Sequence, residues 1–472
     1  MTAPVGIAAT ADETTTPMGT KGRGGQKPKQ TSFVRDVFGT YGTRALTIAL
    51  GIVMGVITAR TLGPNNRGIF SLVYLLPSTI VTFGKLGLAQ ASIYSIRRRG
   101  IEPHRVAANA LLSSIFLGTF FVLITFLSRH YLLATVLRGV PEWAMLIALP
   151  LVPVLLFESY FYSILQAMGK FPLYNRRLLI GTCLLVAGMA ICLIGFHGGL
   201  LAAILVVVCV PIGMDTWLLI TVRRWFPFSF RFDLPLLKEE LRFGFKSHIQ
   251  VLAQHLHLRA DAYIVAYFLD PTQVAFYTLA VRLAEFMLDV PESIGMVLYP
   301  KLAALNDEAM HELTAQACRR TVLVTAIGAA ILSLFGPWVI VLWYGEAYAP
   351  AGRPLPFVAA GIVMMSLFVL LTRNFTSRNR QQVNVLAGFV ALVGNVGLNL
   401  FTIPHWGIVG AAMASTISYS LAACLLLYFF SVESKRPWTS LLIPQRSDLR
   451  YFVQLTRGAI ARAKRLAAQR GK

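Results

Sequence analysis

The chain has 472 residues, of which 56% are apolar and 14% charged, and its net charge is +22. Soluble globular proteins carry about a quarter charged residues, so this composition excludes an ordinary soluble domain. A spanning helix needs about 20 apolar residues to cross the hydrocarbon, and the length accommodates a dozen of them.

In chain order, residues 1–35 hold Ala, Thr, Gly and Lys with no early apolar run. They predict a disordered basic leader rather than a cleaved signal peptide. Apolar runs bounded by charges or Pro/Gly turns then predict spans near 41–61, 68–89, 107–127, 144–167, 178–196 and 199–221. These form a first six-helix bundle over 36–222. A basic linker, 223–242, leads to spans near 243–268, 273–299, 321–343, 354–374, 383–403 and 407–430, a second bundle over 243–432. A basic tail, 433–472, closes the chain. Leu449, Phe452, Leu455 and Ile460 among its cations suggest an interfacial amphipathic helix over 448–469. The expected fold is therefore an all-α polytopic membrane protein of about 12 transmembrane helices in a 6+6, MATE-like arrangement.

The positive-inside rule tests that count. With both termini cytoplasmic, thirty-two cations fall on the cytoplasmic side and five outside, Arg60, Arg67, Arg129, Arg138 and Arg353. A missed or extra span would scramble this alternation. The same sorting accounts for most of the positive charge by topology and anionic lipid, so no nucleic-acid partner is expected. Cys183, Cys192, Cys209, Cys318 and Cys424 show no metal or CxxC spacing and read as small core residues. No GxxxxGK[ST] phosphate loop occurs.

Two segments repeat between the halves. Leu62-Gly63-Pro64 through Leu72 aligns on Leu269-Asp270-Pro271 through Leu279 at an offset of 207 residues. Gly199-Leu200-Leu201-Ala202-Ala203 aligns on Gly407-Ile408-Val409-Gly410-Ala411 at 208. Equivalent positions six spans apart give halves of the same orientation, related by an axis normal to the membrane.

Six cations remain in or beside spans: Arg44, Lys85, Lys246, Arg259, Arg282 and Arg373. Acids at similar depth are Glu158, Asp215, Asp261, Glu285 and Asp289. Each charge at mid-membrane costs about 2.5–3.5 kcal/mol even on the mildest scale, so it needs a partner or water. Arg282, Glu285 and Asp289 at i, i+3 and i+7 predict one helix face. Two readings stay open: internal salt bridges of Arg259 or Arg282 with Asp261 or Glu285, or a hydrated cavity between the halves. Snorkelling to the interface is the plain alternative for Arg44 and Lys85, and the expected one for Lys246 and Arg373. His248, His255 and His257 are expected to line the cavity. Asn395 and Asn399 are expected to bond between helices. The sequon Asn374-Phe375-Thr376 is expected on the cytoplasmic side, where it takes no glycan.

Several of these segments resemble a known family. They are Thr58-Ala59-Arg60-Thr61-Leu62-Gly63-Pro64, Gly68 to Leu72, Gly87-Leu88, Asp261 before Tyr277-Thr278-Leu279-Ala280, and Tyr299-Pro300-Lys301-Leu302. Tyr344 to Ala351, Asn399-Leu400, Ile403-Pro404 and Gly407 to Ala412 complete the set. Together they resemble the polysaccharide biosynthesis membrane proteins, Wzx-like oligosaccharide flippases of the multidrug/oligosaccharidyl-lipid/polysaccharide (MOP) superfamily. The resemblance implies a non-enzymatic carrier in the inner membrane. Such a carrier moves undecaprenyl-diphosphate-linked oligosaccharide by alternating access between two bundles. By span position, Arg44, Lys85, Arg259 and Arg282 correspond to its cationic substrate-binding cavity. Asp261, Glu285 and Asp289 compete for those arginines or carry a coupling proton or sodium ion. No metal or other cofactor is expected, and a polysaccharide polymerase and other biosynthesis proteins are the expected partners. The rival within the superfamily is a cation-coupled multidrug exporter. A membrane enzyme such as a polymerase or ligase would need a large external loop that this chain lacks.

Overall fold

In the computed structural model, which describes residues 30–225 and 231–448 together with 450 and 454, all regular structure is helical. The chain runs α1 (Gln30–Gly84), α2 (Leu88–Arg97), α3 (Pro103–Leu127), α4 (Arg129–Ala134), α5 (Glu142–Ala148), α6 (Leu151–Ala167) and α7 (Phe171–Met189). A π-helical turn, Ala190–Gly195, extends α7 before α8 (Gly199–Trp225) and α9 (Leu234–Phe268). There follow α10 (Pro271–Glu285), a 3-10 turn (Phe286–Leu288), α11 (Asp289–Leu302) and α12 (Asp307–Tyr344). A second 3-10 segment (Glu346–Gly352) precedes α13 (Leu355–Ser377), α14 (Gln381–Ser434) and α15 (Thr439–Leu442). Among the described residues, eight helices are long and apolar enough to cross a membrane: Ala45–Gly84, Pro103–Leu127, Glu142–Ala167, Phe171–Gly195, Gly199–Arg224, Asp307–Tyr344, Leu355–Ser377 and Gln381–Ser434.

Two of these cannot be single spans. At 1.5 Å per residue, the 54 residues of α14 would extend far beyond the ~30 Å of hydrocarbon. Gly407 breaks it with φ 59° and ψ −139°, a conformation that only glycine takes without strain. The arms then fold back on each other. The Thr402 hydroxyl donates to the Gly410 carbonyl at 3.0 Å and Asn395 Nδ2 to Ser418 Oγ at 3.3 Å. In α1 the break is Gly63, with φ 70° and ψ 170°, followed by Pro64. Arg67 reaches back across it to the Gly55 carbonyl (2.6 Å) and Thr58 Oγ1 (2.7 Å).

The repeated segments carry structural weight. Gly199 and Gly407, aligned in the repeat, share a left-handed φ of 62° and 59°. The turns at Gly63 and at Asp270-Pro271 meet each other, for a Cβ on Gly68 would lie 1.7 Å from the Pro271 carbonyl oxygen. Burial divides accordingly. One core belongs to the first half (Leu156, Tyr160, Phe161, Ile164) and takes in Leu236 from the start of α9. Another belongs to the second half (Leu370, Phe375, Leu426, Phe430). The third is shared, with Leu72, Val265, Val274 and Tyr348.

Three expectations are corrected. The second span does not run unbroken to 89, because Leu86 and Gly87 both take positive φ and α2 restarts beyond them. Glycine is required at 87, where a Cβ would stand 2.1 Å from the Gly244 carbonyl oxygen. Arg282, Glu285 and Asp289 do not share one helix, since the 3-10 turn separates Glu285 from Asp289. Of the cysteines only Cys318 is buried, while Cys183, Cys209 and Cys424 are exposed. The leader expected over 1–35 and the tail helix expected over 448–469 lie almost entirely outside the described residues.

Candidate functional site

The intramembrane charges sort into groups that the sequence order does not reveal. The first group lies between the halves. Arg259 on α9 donates Nη1 and Nη2 to the two oxygens of Glu285 at the end of α10, at 2.9 and 3.3 Å. A planar guanidinium matched to a carboxylate in this way is the strongest pairing an arginine makes. Arg282 stands 3.6 Å from the same carboxylate and 5.0 Å over the Phe286 ring, with 58% of its side chain accessible. Glu285 is thus committed to Arg259, and most of the Arg282 guanidinium stays open.

Tyr74, contributed by the first half, feels the charges of both Arg282 and Glu158. Half of its surface, 50%, is accessible. Arg259 keeps 35% of its side chain accessible. Lys85, half-buried at the break between α1 and α2, acts electrostatically on Glu158 and His255. His255 meets Thr79 Oγ1 at 3.0 Å, to which the Tyr263 hydroxyl also donates at 3.0 Å. Arg44 lies on α1, and its side chain, like that of Lys246, is outside the described residues.

Asp261 stands apart. Buried to 3% exposure, it accepts hydrogen bonds from the Tyr277 hydroxyl (2.8 Å), Asn399 Nδ2 (3.0 Å) and the Ser415 hydroxyl. Asn399 also bonds Asn395 Oδ1 at 3.0 Å, so the two asparagines do join helices as expected, and they do so around a carboxylate. Hydroxyls and an amide, rather than the arginines it was expected to compete for, hold the Asp261 carboxylate. Asp289 opens α11, and its carbonyl accepts from the Ser293 hydroxyl at 2.6 Å. Arg373 is not a snorkelling residue either. Its Nη2 pairs with Glu292 at 2.7 Å beside a cavity of about 130 Å³ that His257 also lines. The Asn374 of the sequon is buried and donates to Thr314 Oγ1 at 2.9 Å.

Sequence reasoning missed one cluster. Arg177 counts by position as a loop cation, yet it is buried in the first half. It bonds Glu158 (2.8 and 3.1 Å), Asp215 (2.5 Å) and the Tyr162 hydroxyl (2.7 Å). Arg319, likewise assigned to a loop, is buried against Asp448 at 2.9 Å. The one available signal was that Glu158 and Asp215 needed a partner.

The halves touch at two ends. At the end carrying Arg97 to Arg99, Gly87 abuts Gly244, Tyr94 stacks on Phe243 at 4.2 Å, and Arg99 pairs with Glu239. Outside this contact lies a cavity of about 1020 Å³ lined by Arg97, Arg98, Arg242 and Glu239. At the other end Arg60 donates to the Trp343 and Leu342 carbonyls at 2.7 and 2.6 Å, and the Tyr348 hydroxyl to the Ala59 carbonyl at 3.1 Å.

This arrangement has solved counterparts. Its fold is that of the lipid II flippase MurJ in an inward closed conformation, with TM-score 0.73 and 14% identity, covering 86% of this chain and 89% of that one. It is also that of a multidrug resistance MATE family transporter of the MOP superfamily in an inward-facing conformation (TM-score 0.67, 16% identity, 82% and 94% covered). By class, then, the chain is a multi-pass membrane protein of the MATE/MurJ fold. Residues 33–306 match the polysaccharide biosynthesis protein family, and the chain belongs to that family, the Wzx-like group its motifs resemble. In sequence it is similar to the Shigella flexneri protein described as "Putative O-antigen transporter", 21% identical over 79% of this chain and 91% of that protein. It is also similar to the Haloferax volcanii protein described as "Probable flippase AglR", 26% identical over 35% and 36%.

Proposed function

We propose that this protein flips undecaprenyl-diphosphate-linked oligosaccharide across the inner membrane by alternating access between two six-helix bundles. Twelve spans follow when α1 and α14 are counted as hairpins and the charge-bearing α9 and the α10–α11 pair are added to the eight apolar helices. Both termini are then cytoplasmic, and the cavity lined by Arg97, Arg98 and Arg242 is the cytoplasmic mouth.

The observation that carries this reading is the accessible Arg282 guanidinium, which acts electrostatically on Tyr74 of the first half. A diphosphate cannot cross hydrocarbon unaided, and an arginine grips phosphate oxygens with paired N–H donors while keeping its charge. Arg282 makes first contact, Lys85 and Arg44 add charge from the first half, and Arg259 is released to the diphosphate as Glu285 yields it. The prenyl tail stays in lipid. The halves then rock, exchanging the Gly87–Gly244 closure for opening at the Arg60 end. Asp261, in its hydroxyl and amide nest, is a carboxylate that can take up a coupling proton or sodium ion. The description of the Shigella relative as an O-antigen transporter supports the cargo class, and that of the Haloferax relative supports flipping.

A cation-coupled drug exporter would present unpaired acids to the cavity, whereas Glu285 is committed to Arg259 and Glu158 to Arg177. Replacement of Arg282 by Ala removes charge-assisted hydrogen bonds of about 1.5–3 kcal/mol, so headgroup flipping in proteoliposomes should fall about 10- to 100-fold. Wild-type rates in both Arg282→Ala and Arg259→Ala would end the assignment. Loss of surface polysaccharide with unchanged drug sensitivity on deletion separates the two carriers.

A further inference from the structure

We propose that the Glu158–Arg177–Asp215 cluster inside the first half is an exchangeable proton site, with Asp215 as the protonated group. Two carboxylates share one guanidinium, which leaves one negative charge within the spans unless a proton is bound. Such a charge is costly in a membrane interior, and proton uptake relieves it.

The geometry distinguishes the two acids. Glu158 takes two bonds from Arg177, at 2.8 and 3.1 Å, and forms the neutral ion pair. Asp215 takes a single bond through Oδ1. Its Oδ2 is buried with no partner, beside an apolar crevice of about 210 Å³ between α3, α6 and α8. A bare ionised oxygen in that setting lacks compensation, whereas a protonated carboxyl carries no charge to compensate. The groups facing Asp215 are Glu158 and Tyr162 from α6 and Arg177 from α7, where Tyr174 packs on Tyr162. The α3 wall supplies Leu111, Ser114 and Ile115, none titratable.

The site has an outlet. Glu158 keeps 20% of its side chain accessible and acts on Lys85 and on the half-exposed Tyr74. When Arg177 shifts toward Asp215, the Asp215 proton passes to Glu158 and from its accessible edge to water, leaving the Asp215–Arg177 pair neutral. The site stands whether or not the cargo is a lipid-linked sugar, while its use in energy coupling rests on the flippase reading.

Infrared spectra of the full-length protein in lipid nanodiscs test the site without any substrate. At neutral pH the wild type should show a protonated-carboxyl C=O stretch that is missing from Asp215→Asn. Persistence of the full band in Asp215→Asn overturns the proposal. If that variant does not fold, Glu158→Gln decides in the same way, because removing the competing acid leaves Asp215 ionised on Arg177. In the flipping assay, a proton gradient that accelerates the wild type should leave Asp215→Asn unaccelerated. Equal acceleration of both refutes the coupling role, and an inactive wild type bears on the cargo alone.

Discussion

Glu240 shows how a single residue can report on the linker. It lies at the start of α9, 3% exposed, with Oε1 unpartnered beside a cavity of about 230 Å³ lined by Ser95, Arg99 and Glu239. Burial pushes its carboxyl up to about 7 from an ordinary 4.5. The folded state therefore keeps a proton that the unfolded chain gives up above its own lower value. The stabilisation is complete below about pH 4.5, declines as pH rises, and is lost once pH passes about 7. Glu240→Gln removes this dependence, so its melting temperature should exceed the wild type's by more at pH 8 than at pH 5. An equal gap at both values would show that Glu240 ionises freely in the fold. The same scale exposes what charge patterning cannot reveal. Arg177 reads as one of three loop cations, and only its partners 19 and 38 residues away make it an interior residue. Arg373, Glu292 and Arg319 were hidden likewise, because ion pairs between helices have no local spacing rule.

At the scale of elements, a glycine turn converts one long apolar run into two spans. Gly407 has open space around the position of a Cβ, so its replacement by alanine tests backbone strain alone. Forcing a non-glycine residue into such a conformation costs about 1–3 kcal/mol. Gly397, on the first arm of the same hairpin, also has open space but carries no positive φ. There alanine should be neutral or stabilising by about 0.5–1 kcal/mol. Thermal unfolding in detergent should therefore rank Gly397→Ala above wild type and Gly407→Ala below it, and a Gly407→Ala protein as stable as wild type would deny the turn its strain. The two hairpin breaks were legible in the sequence, since Gly63-Pro64 and Gly407 fall in the repeats. The 3-10 turn at Phe286–Leu288 was not, because no Gly or Pro within it announces the change of helical pitch.

For the whole molecule, the decisive contacts are those between halves. Gly68 leaves no room for a side chain against Pro271, so Gly68→Val must prise the halves apart at the Arg60 end. Spin labels at the exposed positions Arg138 and Glu346 should report a longer and broader distance in that variant, together with lost flipping. An unchanged distance would mean that this contact does not hold the halves together. The shared core around Leu72, Val265, Val274 and Tyr348 makes both halves one folding unit at this end. At the opposite end the first turns of α9 pack into the first half, so a helix assigned by order to the second bundle begins on the first.

Hydropathy, the alternation of basic loops and two short repeats were enough to specify a helical membrane protein with paired halves, because insertion energetics act on each segment locally. The motifs sufficed for the family as well. Which charges neutralise each other was settled only in three dimensions: Glu285 on Arg259, Arg177 between Glu158 and Asp215, Asp261 among hydroxyls. Those pairings depend on how separate helices rotate and pack, and electrostatic energy depends on distance and burial rather than on order along the chain.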